Sequence, residues 1–298
     1  MRRTRINIGY IYAVATGVIC GIVPTIFQKV LTQEPIPRAT ALFIKFAASS
    51  LILLPFGISK LKKIQLPRHF FRKLLICSLL YIATIILIYE SYRYIPTGIG
   101  VSLQYTFPLF TMVISALFFR FHCTKQNVIA MILSLAGVMF LSNGSLSSDG
   151  ALIGILLALG SALTYALYFL WMEHEKLAAM DATVFVTLKM CASTILLFVY
   201  VLMTNQLNFS MSIQSFCGLS LSGVFTILAS FCLTLAIRHI GSVHTSILGS
   251  IEPIVCAIAG VIFLEEKVNF KNTSGIAMVL AATILVTLSK QGRKAETE

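Results

Sequence analysis

Charge is what this chain has least of. Only 11% of its 298 residues are Asp, Glu, Lys or Arg, where a soluble globular protein carries about 25%. Too few charges remain to cover a water-facing surface of this size. A soluble enzyme, a soluble nucleic-acid binder and a disordered scaffold are thereby excluded. Aspartate is scarcer still: Asp149 and Asp181 are the only two, both near loops, which argues against a membrane enzyme built on paired aspartates. No Walker A pattern and no H-E-x-x-H occur, so neither ATP hydrolysis nor a zincin centre is encoded. The seven cysteines form no C-x-x-C. Most lie singly in apolar runs and read as small apolar fillers rather than a disulfide framework or zinc site. No cofactor is expected.

What is present is hydrophobic: 57% of residues, with a mean hydropathy of +0.90. The apolar runs are continuous, as in Leu74–Ile88, whereas membrane β-strands alternate in segments of about 10. A helix needs about 20 apolar residues to cross the hydrocarbon core. The pattern predicts an all-α integral membrane protein with ten spans: Gly9–Leu31, Pro37–Ile58, Lys73–Tyr92, Thr97–Phe119, Gln126–Leu141, Gly150–Met172, Ala182–Met203, Ile213–Ile237, Ser242–Leu264 and Thr273–Leu288. Ala13-Val14-Ala15 imitates a signal-peptidase site but sits inside the first run, which reads as an uncleaved span.

The net charge of +12 is assigned to loops rather than to nucleic acid. With ten spans and the N-terminus inside, 16 Lys and Arg fall on the inner side and 5 on the outer. The positive-inside bias predicts both termini in the cytoplasm and a multi-pass protein of the bacterial inner membrane.

Sliding the chain against itself by about 145 residues aligns Pro108 with Pro253, Gly9 with Gly154 and Ile95 with Ile240. An offset of 144 aligns Lys45 with Lys189. The ordered matching of rare residues predicts two five-helix repeats, 1–145 and 146–298. An odd span count per repeat makes the second copy inverted, a construction that places a transport site near the midplane. Helices 1–5 and 6–10 are expected to form two bundles that exchange access to that site.

Several residues could carry chemistry. A charge at the bilayer centre costs about +2.5 to +3.5 kcal/mol and is usually functional. Lys45 and Lys189 each lie about 11 Å along their helices at 1.5 Å per residue; they either face the cavity and bind an anionic group or snorkel to a headgroup. Glu252, directly before Pro253, could take a proton or a substrate amine at a loosened helix. Pro24, Pro108 and Pro253 are the expected helix breaks. Glu90 either couples transport to protons or pairs with Arg93 three residues on. Gln104, Tyr105, Tyr81, Tyr165 and Tyr168 are candidates for the cavity wall. His244 reads as interfacial, and Gly17-x-x-x-Gly21 as a close-packing motif.

The segment Ser250-Ile251-Glu252-Pro253, then Phe263-Leu264-Glu265-Glu266-Lys267 and Gly275, resembles the Glu-Pro, loop-glutamate and glycine pattern of EamA-type transporters in the drug/metabolite transporter superfamily. The first repeat keeps Pro108 but has Phe107 and Arg120 where Glu252 and Glu265 fall. The resemblance spans about residues 9–289. It implies a plasma-membrane carrier of small organic metabolites, often an exporter. The expected partners are a small-molecule substrate and the lipid bilayer, without nucleic acid, for a monomer or homodimer. An amino acid or other small organic anion, moved by alternating access with a proton or other gradient, is the leading expectation. A multidrug or cationic exporter and a lipid flippase are the alternatives, and a membrane-embedded enzyme the remote one.

Overall fold

The computed structural model describes residues 2–62, 66–95, 100, 103–121, 123–141, 150–264, 274, 277–278, 281–282 and 285. The described residues are helical, with no strand. The helices are α1 (Arg2–Gln33), α2 (Arg38–Leu61), α3 (Arg68–Ser91), α4 (Phe107–Phe118), α5 (Lys125–Leu141), α6 (Ala151–His174), α7 (Ala182–Met203), α8 (Ile213–Gly249) and α9 (Glu252–Leu264). Six of them, α1–α3 and α6–α8, are long and apolar enough to cross a membrane, and α4 is a shorter apolar helix. The chain is a multi-pass membrane protein. The expected tenth span, the Glu265–Lys267 segment, Gly275 and the boundary between 145 and 146 lie outside the described residues, apart from six isolated positions in 274–285.

Helix starts follow local chemistry. The Asp181 carboxylate accepts from the Thr183 and Val184 N–H groups at 2.9 and 3.2 Å and caps α7. The Ser212 hydroxyl accepts from the Ser215 N–H and caps α8. Each side chain satisfies a first-turn N–H that has no partner within its helix.

Two departures from the sequence reading concern breaks. α1 runs helically through Pro24, which is exposed; the expected break there is absent. At the expected boundary between the eighth and ninth spans the backbone of α8 is non-helical at Gly241 (φ 77°, ψ 170°), so two helices meet there at a kink. A side chain is strained at such a φ, so glycine is the residue that serves. The second departure moves the proline breaks upstream. Helix ends at Gln104 and restarts at Phe107, and it ends at Gly249 and restarts at Glu252. A proline ring clashes with the carbonyl four residues earlier. For Pro108 and Pro253 those residues are Gln104 and Gly249, the last helical ones. Each proline becomes the second residue of a new helix, where its missing N–H costs nothing.

The packing is built on pairs between repeats. α1 lies along α8, α3 along α6, and α2 along α7. The first two pairs exchange under the repeat shift, and the third maps onto itself. Side-chain contacts follow the same rule: Gly9 packs against His239 and Ile240, while Gly154 packs against Tyr94 and Ile95, each residue shifted by 145. The expectation of one bundle from helices 1–5 and another from 6–10 is thus corrected. The tightest helix neighbours come from opposite repeats, because each helix buries its small-residue stripe against a partner from the other copy.

Candidate functional site

The two helix breaks face the middle of the structure. α1 crosses the second one through Gly17 and Gly21. A Cβ at Gly21 would lie 2.6 Å from the Val255 Cβ and 2.7 Å from the Glu252 carbonyl oxygen, so only glycine lets α1 approach the restart of α9. α6 crosses the first break at the equivalent place, with the fully buried Ala162 and Ala166 where α1 has Gly17 and Gly21.

At the second break, Glu252 occupies the first position of α9. A carboxylate there meets the positive end of the helix dipole. The Tyr105 hydroxyl, from the first break, hydrogen-bonds this carboxyl, and Lys45 lies within electrostatic reach of it. No ion pair joins Lys45 and Glu252 directly among the described residues. The Lys45 ammonium lies 5.7 Å from the ring centroids of both Phe27 and Phe46.

Lys189 is fully buried, with 0% exposure. Its ammonium donates to the Tyr168 hydroxyl at 3.0 Å and the Ser230 hydroxyl at 3.1 Å, and sits 4.6 Å from the Tyr81 ring centroid. Tyr81 stacks on Tyr168 at 5.1 Å, Tyr165 lies parallel to Tyr168 at 6.0 Å, and Phe107 packs on Tyr165 at 4.7 Å. Gln104 donates to the Ser161 hydroxyl at 2.9 Å, and Ser161 in turn donates to the Thr84 carbonyl. Nearly all the expected wall residues therefore converge: Lys45, Lys189, Glu252, Tyr105, Tyr81 and Tyr165 meet in one aromatic centre, with Gln104 on its edge. Glu252, Tyr81 and Tyr165 keep partial exposure there.

Glu90 is elsewhere. It pairs with Arg93 at 3.1 Å and accepts from the Tyr200 hydroxyl at 2.9 Å, at a helix end rather than beside Glu252. His244 lies edge-on to the Phe121 ring at 6.0 Å. Two open apolar hollows occur on the flanks, one among Leu53, Phe56 and Phe231 and one among Phe43, Leu51 and Phe216; neither is lined by the central charged groups.

Sequence reasoning misses Cys20, Phe27 and Ser230. Cys20 lies on the α1 turn preceding Gly21 and is within electrostatic range of Lys45, Lys189 and Glu252. Its signal in the sequence is its place inside the small-residue stripe.

Polar ties between repeats close both ends. At one end Lys60 pairs with Asp181 at 3.2 Å and Lys73 with Glu175 at 2.6 Å; beside them, within the second repeat, Glu173 accepts from the Ser242 N–H at 2.7 Å. Partial burial pushes the Asp181 carboxyl up, but the Val184 N–H, Lys60 and the Thr183 N–H outweigh it and the net shift is downward. At the other end Glu34 accepts from the Ser212 N–H and Thr40 donates to the Gln206 carbonyl. Hydrogen bonds from Ser212 hold the Glu34 carboxyl below its ordinary value.

A sequence profile described as the EamA-like transporter family matches residues 7–143 and again 152–288. Transporter YvbV of Bacillus subtilis is 25% identical over 207 residues, 68% of this chain and 67% of that protein. The threonine/homoserine exporter RhtA of Salmonella typhimurium is 27% identical over 204 residues, 68% of this chain and 66% of that protein. A protein chain of known crystal structure superposes with a TM-score of 0.77 over 97% of this chain and 98% of its own, at 13% identity; that likeness concerns the fold.

Proposed function

The chain belongs to the EamA-like transporter family, and from that premise we propose that it carries a small zwitterionic amino acid across the membrane. One observation carries the reading: a carboxylate and lysine ammonium groups share an aromatic interior at two helix breaks. A free amino acid brings one charge of each sign and can satisfy both kinds of group at once. In a low-dielectric interior an unpaired charge is costly, so such a site favours a ligand with the complementary pair. The likeness to a threonine/homoserine exporter supports the same class.

The mechanism we propose is alternating access around this centre. The two repeats are inverted, with ten spans, and both termini lie in the cytoplasm of an inner membrane. The moving bodies combine helices of both repeats, α1 with α8 and α9 against α3 with α4 and α6, since these are the contacts that exchange under the repeat shift. The Glu173–Ser242 contact joins α6 to α8 across the two bodies and opens on the cytoplasmic side; the ties at 73–175 and 34–212 lie within a body and hold, and those at 60–181 and 40–206 join α2 to α7. Glu252 is the coupling carboxylate, because it alone of the two expected candidates sits at a break. Glu90 is engaged by Arg93 and Tyr200 and holds a helix end.

A second reading has its own support. Tyr81, Tyr165, Tyr168 and Phe107 present several ring faces, and ring faces attract cations, as a multidrug exporter would use. Ligand-induced thermal shifts on purified protein separate the two. A ligand that binds only the folded state stabilises it by RT ln(1 + [L]/Kd). Shifts with neutral amino acids, lost in Glu252→Gln, support the amino-acid carrier. Shifts with cationic drugs and none with amino acids support the exporter of cations.

A further inference from the structure

The two intramembrane lysines occupy matching positions in the repeats, yet their surroundings differ. Lys189 has 0% exposure and two hydroxyl acceptors, Tyr168 and Ser230. It also has the Tyr81 and Tyr168 rings at 4.6 and 5.5 Å. Its hydrogen-bonding capacity is mostly used. Lys45 has 8% exposure and no hydrogen-bond acceptor among the described residues; the Phe27 and Phe46 rings lie beside its ammonium, and Cys20 is within electrostatic range. A buried ammonium that lacks acceptors is expensive to keep, and a fold retains one where a ligand supplies them. Glu252 lies within its electrostatic reach but outside ion-pair contact, so the carboxylate does not supply the missing acceptor.

We propose that Lys45 is the receptor for the substrate carboxylate and that Lys189 is a structural lysine, locked to Tyr168 and Ser230. This rests on the amino-acid reading above and sharpens it. The carboxylate of the substrate meets the α2 ammonium, and its own ammonium meets Glu252 at the start of α9, where Tyr105 holds the acceptor. The site therefore selects against amines that lack a carboxylate. Specificity arises because such an amine leaves Lys45 as it is in the empty carrier, without an acceptor.

The test is counterflow in proteoliposomes with two probes, L-threonine and its decarboxylated counterpart 1-amino-2-propanol. The intact protein should prefer threonine. Hydrogen bonds to charged groups contribute about 1.5–3 kcal/mol, and each 1.4 kcal/mol is tenfold. Lys45→Met should accordingly lower the threonine-to-amine preference by roughly 10- to 100-fold, mostly through the KM for threonine. Lys189→Met should lower the transport of both probes alike and leave their ratio unchanged. Lys45→Gln, which keeps a donor without the charge, should give an intermediate ratio.

An unchanged ratio in Lys45→Met, or a ratio that falls in Lys189→Met instead, overturns the assignment while leaving the amino-acid reading intact. If neither Lys45 variant folds, Lys45 is structural and the assignment is also overturned. Intact protein that moves neither probe rejects the amino-acid reading, and the Lys45 assignment falls with it.

Discussion

The first and second repeats share a scaffold and differ in chemistry. Both break a helix between the residue four before a proline and the residue before it, at Gln104–Phe107 and Gly249–Glu252. Both are crossed there by a helix with small residues in the same register. Both place a lysine deep in the following pair of packed helices. The first repeat then fills its break with the Phe107 ring, packed on Tyr165 and Phe169 at 4.7 and 5.4 Å. The second puts the Glu252 carboxylate at that position. Symmetry of backbone is what a two-state carrier needs, because each face must close in the same way as the other. A small asymmetric substrate needs the opposite, since its two ends differ. On the proposed function, the chain meets both demands by keeping small residues, prolines and helix pairs in register while diverging at Phe107 and Glu252.

That contrast can be broken in several ways. The largest effect should come from Glu252→Phe, which makes the second break chemically like the first. Counterflow of threonine should be abolished, while circular dichroism and gel filtration remain those of the folded protein. Retained counterflow would take Glu252 out of the site.

Next is Gly21→Ala, which gives α1 the residue that α6 carries as Ala166. The added methyl meets the Val255 Cβ and the Glu252 carbonyl at 2.6 and 2.7 Å, and overpacking of this kind costs about 1–3 kcal/mol. Transport and the thermal midpoint in detergent should both fall, and Ala166→Gly should not reproduce the loss of transport.

Lys189→Met comes third. It strands the Tyr168 and Ser230 hydroxyls, each at about 1–3 kcal/mol if left without a partner. Addition of Tyr168→Phe should restore part of the midpoint. A double variant no more stable than the single one would show that the hydroxyls do not depend on the ammonium.

The smallest effect belongs to Asp181→Ala, at the end tied by Lys60. Losing the α7 cap should cost about 1 kcal/mol; the exposed ion pair adds little. The folded carboxyl lies below its ordinary value of 3.8, so its stabilisation is full above that value and is lost as pH falls through the folded value. The midpoint gap between intact and Asp181→Ala protein should be constant near neutrality and shrink below about pH 4.

Much of this architecture is legible in the sequence. The bilayer demands unbroken stretches, so apolar runs locate the described helices, although α1 and α3 begin seven and five residues before the expected starts. Lys45, Lys189 and Glu252 stand out because charge is rare in such runs. The breaks are legible as prolines, but their place is not: the clash acts four residues upstream, so the chain unwinds before Pro108 and Pro253 rather than at them. Pro24 obeys the same local chemistry and leaves α1 intact, because tertiary packing decides whether a weakened helix opens. The pairing of α1 with α8 is invisible as well. Two apolar stripes of small residues fit many partners, and only the folded geometry selects one. The difference between the two lysines is likewise spatial, since Tyr168 and Ser230 reach Lys189 from two other helices.

The interleaving of the repeats also governs how the protein is made. α1 ends at Gln33 and its long partner α8 begins at Ile213. At about 5–20 residues per second of synthesis, the first helix waits roughly 10–40 s in the bilayer before its partner exists. During that interval its glycine stripe and the neighbouring Lys45 face lipid or the insertion machinery rather than protein. The α1–α8 pair can therefore close only late in synthesis, and a chain that stalls after α7 carries Lys189 without its Ser230 acceptor.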